Sequence, residues 1–153
     1  YTSATLVTTP FSDGFDHYFT DRLAYTHQVL VARKFTDALS LQLSPTLVHF
    51  NLVPTVADAN DQWALSFAGR YKLTQRMALT AEYMLNLNAV DGYHNSGSIG
   101  LDIETGGHVF QFHLTNSRSM ADPQWMMQTP GQWSRGDIFL GFNITRVFTH
   151  VRP

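Results

Sequence analysis

The stretch RYKLTQRMALTAEYMLNLN, residues 70–88, decides the fold because its apolar and polar residues alternate. The odd positions carry the apolar side chains of Leu73, Met77, Leu79, Tyr83, Leu85 and Leu87. The even positions carry Arg70, Lys72, Thr80, Glu82 and Asn86. Successive side chains of a β-strand point to opposite faces. The stretch therefore predicts a hairpin with one apolar and one polar face, turning at residues 74–76.

The composition excludes several classes of protein. A chain of 153 residues is long enough for one domain with its own core. A net charge of −2, without a run of basic residues, argues against a nucleic-acid partner. Charged residues make up only 14% of the chain, against about 25% in ordinary soluble domains. The absence of cysteine excludes disulfides and thiolate metal sites.

Eight segments show the alternation and composition of strands. They are residues 1–9, 23–35, 39–52, 62–73, 77–88, 96–105, 108–116 and 137–148. No stretch keeps an apolar period of 3.6 residues over three turns, so we predict no helix. The connections alternate between long and short, and the short ones are residues 36–38, 74–76 and 106–107. In an up-and-down antiparallel sheet this places all tight turns at one end and all long loops at the other, as in outer-membrane barrels.

The two faces of the strands differ in a way that predicts which one meets lipid. The polar face is small and hydroxylic, as in Ser40, Gln42, Ser44 and Thr46, and suits a narrow interior. The apolar face is uniformly large and would overfill a small barrel. We therefore predict an all-β fold: an antiparallel up-and-down transmembrane β-barrel with eight visible strands in a single domain, residues 1–153. A soluble, lipocalin-like barrel that binds an apolar ligand is the alternative.

Aromatic residues are expected to form belts at the two membrane interfaces. Phe35, Tyr71 and Phe148 lie near the short-turn end of the strands, and Phe50 and Trp63 lie near the long-loop end.

Five segments together resemble an uncharacterised family of β-barrel proteins from Gram-negative bacteria. They are RLAYTHQVLVARKF, LSLQLSPTLVHFNLVP, NDQWALSFAGRYKLTQRMALTAEY, YHNSGSIGLDIETGGHVFQFHLTNS and GDIFLGFNITRVF. The resemblance covers about residues 20–148 and implies a barrel in the cell envelope, with no catalytic residues. It also implies that related chains carry further strands before this part. The chain, which begins at Tyr1, is therefore expected to be incomplete at its N-terminus and to form the C-terminal part of a larger barrel.

Polar side chains of the predicted inner face are the candidates for lining the lumen. They are Gln28, Gln42, Arg70, Lys72, Glu82, Asn86, Asp102, Glu104, Gln111, His113 and Asn143. The tight turns predict that Arg70 pairs with Thr80, Asp102 with Gln111, and Gly100 with His113. Unpaired charge is costly at low dielectric, so these groups are expected to pair. They would form a network that fills a narrow barrel, line a water-filled pore, or form a selective ligand site.

The long connection at residues 117–136 is the predicted partner surface. Its partner-contact candidates are Met120, Trp125, Met126, Met127 and Trp133. Apolar side chains on a loop often mark an interaction site. The alternative is a loop that folds over the barrel mouth and buries those side chains on itself.

The motifs of common enzymes are not found. There is no Gly-x-Ser-x-Gly turn and no His-Glu-x-x-His spacing, so we expect neither catalysis, nor a cofactor, nor a metal site. The expected partner is the lipid bilayer of the outer membrane, with long loops outward and the ends of the chain on the periplasmic side. The function expected is structural or that of a passive solute pore. A barrel subunit that anchors a larger envelope complex through residues 117–136 is a further alternative.

Overall fold

The structure is a computed structural model that describes residues 1–12, 14–146 and 148. In this part of the chain it contains nine strands and one short α-helix. The strands are β1 (Thr2–Leu6), β2 (Leu23–Gln28), β3 (Val31–Lys34), β4 (Leu39–Phe50), β5 (Asp61–Lys72), β6 (Met77–Asn86), β7 (Gly97–Thr105), β8 (His108–Thr115) and β9 (Phe139–Arg146). The helix α1 (Asp122–Met127) lies between β8 and β9.

All nine strands belong to one antiparallel sheet. The hydrogen-bonded order is β1-β2-β4-β5-β6-β7-β8-β9, and β3 also pairs with β4. Sequential strands are therefore neighbours, which confirms the predicted up-and-down topology. The sheet forms a half-barrel whose edges are β1 and β9.

The predicted strand 23–35 is divided into β2 and β3, and Pro45 is the cause. Gln28 pairs with Thr46 and Val31 pairs with Leu43, so the register is the same on both sides of the interruption. The Val29 N–H donates to the Pro45 carbonyl at 3.1 Å, but proline has no N–H to return. The nine strands thus correspond to the eight predicted segments, with one ladder interrupted.

The predicted register is confirmed at the tight turns. Arg70 pairs with Thr80, Asp102 with Gln111, and Gly100 with His113. The reason is that a short turn between antiparallel strands leaves little freedom in pairing.

Two neighbouring rows of side chains show the difference between the faces. The first row, one residue from each of β5 to β9, is Tyr71, Leu79, Leu101, Phe112 and Phe142. The second row, one residue further along the same strands, is Lys72, Ala78, Asp102, Gln111 and Asn143. Phe112 and Phe142 of the apolar row are 42% and 49% exposed, so the large apolar side chains point outward. A soluble barrel with these side chains lining a cavity is therefore wrong.

Two expectations need correction. The sequence predicted no helix, yet α1 forms; its six residues are too few to show a helical period over three turns. No helix of the described residues is long and apolar enough to cross a membrane. Phe50 was expected in an aromatic belt but faces the concave side, where it is 7% exposed, because its even position in β4 shares the inner face.

Candidate functional site: the concave face and its plug

Residues 117–136, named here the plug segment, fold onto the concave face of the sheet. Helix α1 of this segment contacts β1, β2, β5 and β6. Met126 and Met127 of α1 are buried, and Met127 is 0% exposed. They pack against inward-facing side chains of the sheet, which are Ala24, Val48, Phe50, Ala64 and Met84. The small alanines leave the room that the two methionines fill.

The first turn of α1 is held against β1. Pro123 lies in this turn, where its missing N–H costs no helical hydrogen bond. The Asp122 carboxylate accepts hydrogen bonds from the Ser3 hydroxyl at 2.8 Å and from the Tyr1 hydroxyl. Charge-assisted hydrogen bonds of this kind are stronger than neutral ones. They fix one end of the plug segment to the edge strand of the sheet.

The other end of the plug segment is held by Asn116, which is buried. Its side-chain oxygen accepts from the Gly97 N–H at 2.8 Å. Its amide nitrogen donates to the carbonyls of Asn95 at 2.9 Å and Gly131 at 2.8 Å. A Cβ atom on Gly131 would lie 2.2 Å from the Asn116 carbonyl oxygen, so only glycine permits this approach. The Asn116 side chain thus ties β7, the preceding loop and the plug segment together.

A third attachment joins the plug segment to the loop between β6 and β7. His94 and Thr129 form an isolated antiparallel bridge, in which the His94 N–H donates to the Thr129 carbonyl at 2.8 Å. The Gln132 side-chain amide lies 2.6 Å from the His94 Nε2 atom. With three attachments, the plug segment is a packed part of the fold.

The expectation that all five apolar side chains of residues 117–136 are exposed is wrong for Met126 and Met127. They are buried because the segment folds inward, and Trp125 is half-buried against the same core. Met120, at 88% exposed, and Trp133 remain accessible. The structure thus agrees only in part with the alternative of a loop that buries these side chains on itself, because Met126 and Met127 are buried against the sheet.

The concave face has two halves, which are named by the connections nearest to them. The loop-side half lies under the plug segment, and its polar side chains, including Thr26, Ser44, Thr46, Gln62 and Ser66, are buried. The turn-side half, toward the tight turns, carries the charged candidates. The plug segment therefore covers one half of the inner face and leaves the other more open.

The charged candidates of the inner face are partly paired, as expected. The Arg70 Nε atom lies 3.4 Å from an Asp102 carboxylate oxygen. The Gln111 amide donates to the other oxygen of Asp102 at 3.1 Å. The Ser66 hydroxyl donates to Glu82 at 3.2 Å. The contacts of Asp102 join β7 to β5 and β8, and the contact of Glu82 joins β6 to β5.

The remaining lumen candidates share the same face by register. The Gln28 amide donates to the Thr46 hydroxyl at 2.9 Å, and the Gln42 amide donates to the Ser44 hydroxyl at 3.0 Å. The side chain of Asn86 is partly buried at the loop-side end of β6. Lys72 and Glu104 lie near the tight turns, Asn143 lies in the middle of β9, and His113 lies toward the loop end of β8. That they line a lumen stays a prediction.

A groove of about 490 Å³ lies between the plug segment and strands β6 to β9. From the sheet it is lined by Glu82, His113 and Asn143, among others, and from the plug segment by Arg118 and Trp125. The ring of His113 occupies the space beside Gly141, where a Cβ atom would lie 2.0 Å from its Nε2 atom. Its lining is largely apolar, with a few charged and polar side chains among the apolar ones, as in many small-molecule sites.

Sequence reasoning missed the residues that hold the plug segment. Asn116, Asp122 and Gly131 lie outside the alternating pattern, and their partners are remote in sequence. A Pro in the sequence ADPQW was the one local signal for a helix start.

This fold has the features of a membrane β-barrel: apolar side chains point outward, polar side chains contact one another on the inner face, and the tight turns lie at one end. The sequence matches, over residues 1–148, the family described as a membrane bound beta barrel domain (DUF5777). The chain belongs to this family, whose function is unknown. No curated protein and no solved structure matches the chain.

Proposed function

We propose that this chain is part of a non-catalytic β-barrel of the Gram-negative outer membrane, with a structural role and a lumen plugged from the loop end. The observation that carries the proposal is the apolar row from Tyr71 to Phe142, which faces outward across five strands. Such a surface is stable against hydrocarbon and unfavourable in water. The alternation of long and short connections supports the outer membrane, because barrels there have it.

The half-barrel needs partners at its edges β1 and β9. A strand edge exposes unpaired N–H and C=O groups, which hydrocarbon cannot satisfy. The proposal therefore includes closure of the barrel by further strands between β1 and β9. Strand number sets the width of the lumen, so these strands also determine how far the plug segment fills it.

A non-catalytic role is supported by how the inner charges are used. Asp102 contacts Arg70 and Gln111, and Glu82 contacts Ser66, so these carboxylates hold strands together. Partly buried contacts of this kind stabilise a particular arrangement of strands.

Passive passage of a small polar solute is the second candidate. It is favoured by the groove of about 490 Å³ beside Glu82 and His113, which the plug segment leaves unfilled. Anchoring of an envelope complex through residues 117–136 would have to rely on Met120 and Trp133, the two apolar candidates that are exposed.

Membrane location is tested by extracting the native envelope with alkaline carbonate, after separating inner from outer membranes on a density gradient. Boiled and unboiled detergent extracts are compared by electrophoresis. We expect the protein in the carbonate-resistant outer-membrane fraction, with faster migration when unboiled. Release as a folded protein into the aqueous fraction would contradict the proposal.

The two candidates are separated by conductance in planar bilayers. We expect little conductance from the wild-type protein, and a clear increase when residues 119–135 are replaced by a short flexible linker. Large, steady conductance of the wild-type protein would favour the passive pore over the plugged structural barrel.

A further inference from the structure

The charged side chains of the described residues are sorted between the two ends of the strands. The turn end carries Arg33, Lys34, Lys72, Arg76 and Arg146, with the carboxylates Asp37 and Glu104. Five cations against two carboxylates give this end a net charge of +3, and the adjacent Arg70–Asp102 ion pair leaves that value unchanged. The loop end carries three cations and seven carboxylates, a net charge of −4: Arg22, Arg118, Arg135, Asp16, Asp21, Asp58, Asp61, Asp91, Asp122 and Asp137. The protein is thus polarised along the direction of its strands.

Two of the turn-end arginines lie on the outward face beside an aromatic ring. The Arg33 guanidinium is 5.2 Å from the ring centre of Phe35, and the Arg146 guanidinium is 4.6 Å from that of Phe148. Arg33 pairs with the outward-facing Leu41, and Arg146 shares the face of Phe142 in β9. The same arrangement therefore occurs on two strands that are far apart in the sheet, β3 and β9.

The three turn-end arginines, Arg33, Arg76 and Arg146, have no carboxylate partner among the described residues. The ion pairs found there that involve lysine or arginine join Lys34 to Asp37 and Arg70 to Asp102, and neither includes Arg33, Arg76 or Arg146. All three arginines are exposed. Their positive charge is therefore available to a partner outside the protein.

We propose that Arg33, Arg76 and Arg146, with Phe35 and Phe148, form a turn-side rim that binds the phosphate groups of anionic phospholipids. The inference rests on the family's membrane-bound barrel. An outward arginine is tolerated at a membrane interface, where aromatic rings are also favoured. The guanidinium fork matches two phosphate oxygens, and a positive rim attracts a negatively charged lipid surface. The rim thereby fixes the depth of the barrel in the leaflet at its turn end.

The test measures lipid preference of the full chain in detergent micelles, by native mass spectrometry with equimolar phosphatidylglycerol and phosphatidylcholine. The rim variant is Arg33→Gln with Arg146→Gln. The matched control is Arg118→Gln with Arg135→Gln, which removes the same charge from the loop end. Arg118 also lies over an aromatic ring, 4.7 Å from the centre of Phe139.

We expect the wild-type protein to retain phosphatidylglycerol in preference. In the rim variant, the ratio of bound phosphatidylglycerol to bound phosphatidylcholine should fall about fivefold for each arginine removed. The control variant should keep the preference, and inorganic phosphate at equal concentration should not displace the lipid. Lack of preference in the wild type, or equal loss in both variants, would overturn the inference.

Two further measurements keep the test decisive. The migration of unboiled samples shows whether the rim variant folds. If it does not fold, the lipid preference of the wild-type protein is measured at increasing salt concentration instead. The preference should fall as salt is raised, because exposed charges are screened; a constant preference contradicts the rim. A protein that inserts into membranes but shows no preference refutes this inference and leaves the membrane barrel intact.

Discussion

The loop-side and turn-side halves of the concave face are built from the same strands but differ in what covers them. In the loop-side half, Val48 and Met84 pack against Met126 and Met127 of the plug segment. In the turn-side half, the Asp102 carboxylate contacts both Arg70 and Gln111, which lie on other strands. An inner face is thus not uniform along a barrel: one half is a packed core, and the other is a polar network.

The largest effect is expected from placing a charge in the packed half. Met127→Asp should destabilise the plug segment by roughly 3–5 kcal/mol, because a carboxylate there has no partner to offset its desolvation. The segment should then become open to proteolysis, measured by cleavage within residues 117–136 in detergent. Met120→Asp is the control, since Met120 is already exposed. Equal cleavage in both variants would contradict the burial of α1.

The next effect compares the two faces. Phe112→Lys puts a cation on the outward row at mid-strand, where it should reduce the free energy of unfolding by about 2–4 kcal/mol. Gln111→Lys, one residue away, should cost much less because Asp102 is its neighbour. Urea titration in lipid vesicles, followed by the migration of unboiled samples, measures both. If Gln111→Lys is the more harmful change, the faces have been assigned the wrong way round.

A smaller effect compares the same substitution at two glycines, one beside backbone atoms and the other beside a side chain. Gly131→Ala should reduce the free energy of unfolding by about 1–3 kcal/mol, because its Cβ would meet backbone of Asn116. Gly141→Ala should cost ~0.5–1.5 kcal/mol, because the His113 ring can turn aside. The urea midpoints of the two variants test this order. The reverse order would show that the Asn116 backbone gives way more easily than the His113 ring.

The smallest effect lies in the exposed turn between β3 and β4. A hydrogen bond from the Lys34 ammonium, at 2.7 Å, lowers the pKa of the Asp37 carboxyl. Because the folded pKa is below the unfolded one, the interaction stabilises above the unfolded value of about 3.9 and is lost as pH falls through the folded value. The urea midpoints of wild type and Asp37→Asn should therefore differ slightly at pH 7 and converge in acid. A difference that grows in acid would contradict the shift.

The alternation of side chains predicted most of the sheet because it depends on local geometry alone. Residues 70–88 fix a hairpin, and the short turn at 74–76 fixes its register, so Arg70 and Thr80 pair as expected. The division of the predicted strand 23–35 into β2 and β3 is the exception. Its cause, Pro45, lies on the neighbouring strand β4 and lacks the N–H that the pairing needs.

The plug segment could not be predicted in the same way. The curvature of the whole sheet brings Asn116 to Gly131 and Asp122 to Ser3. No local periodicity in the sequence predicts these contacts. The same holds for Phe50, whose aromatic ring suits a membrane interface but whose position in β4 turns it inward.

By itself, the sequence determined most of the strands, their order, their register and the separation of an apolar from a polar face, because each follows from a period of two and short turns. Only the tertiary structure decided what fills the concave face. That outcome depends on the volume left by Ala24 and Ala64 and on hydrogen bonds between residues more than 100 positions apart, such as Ser3 and Asp122.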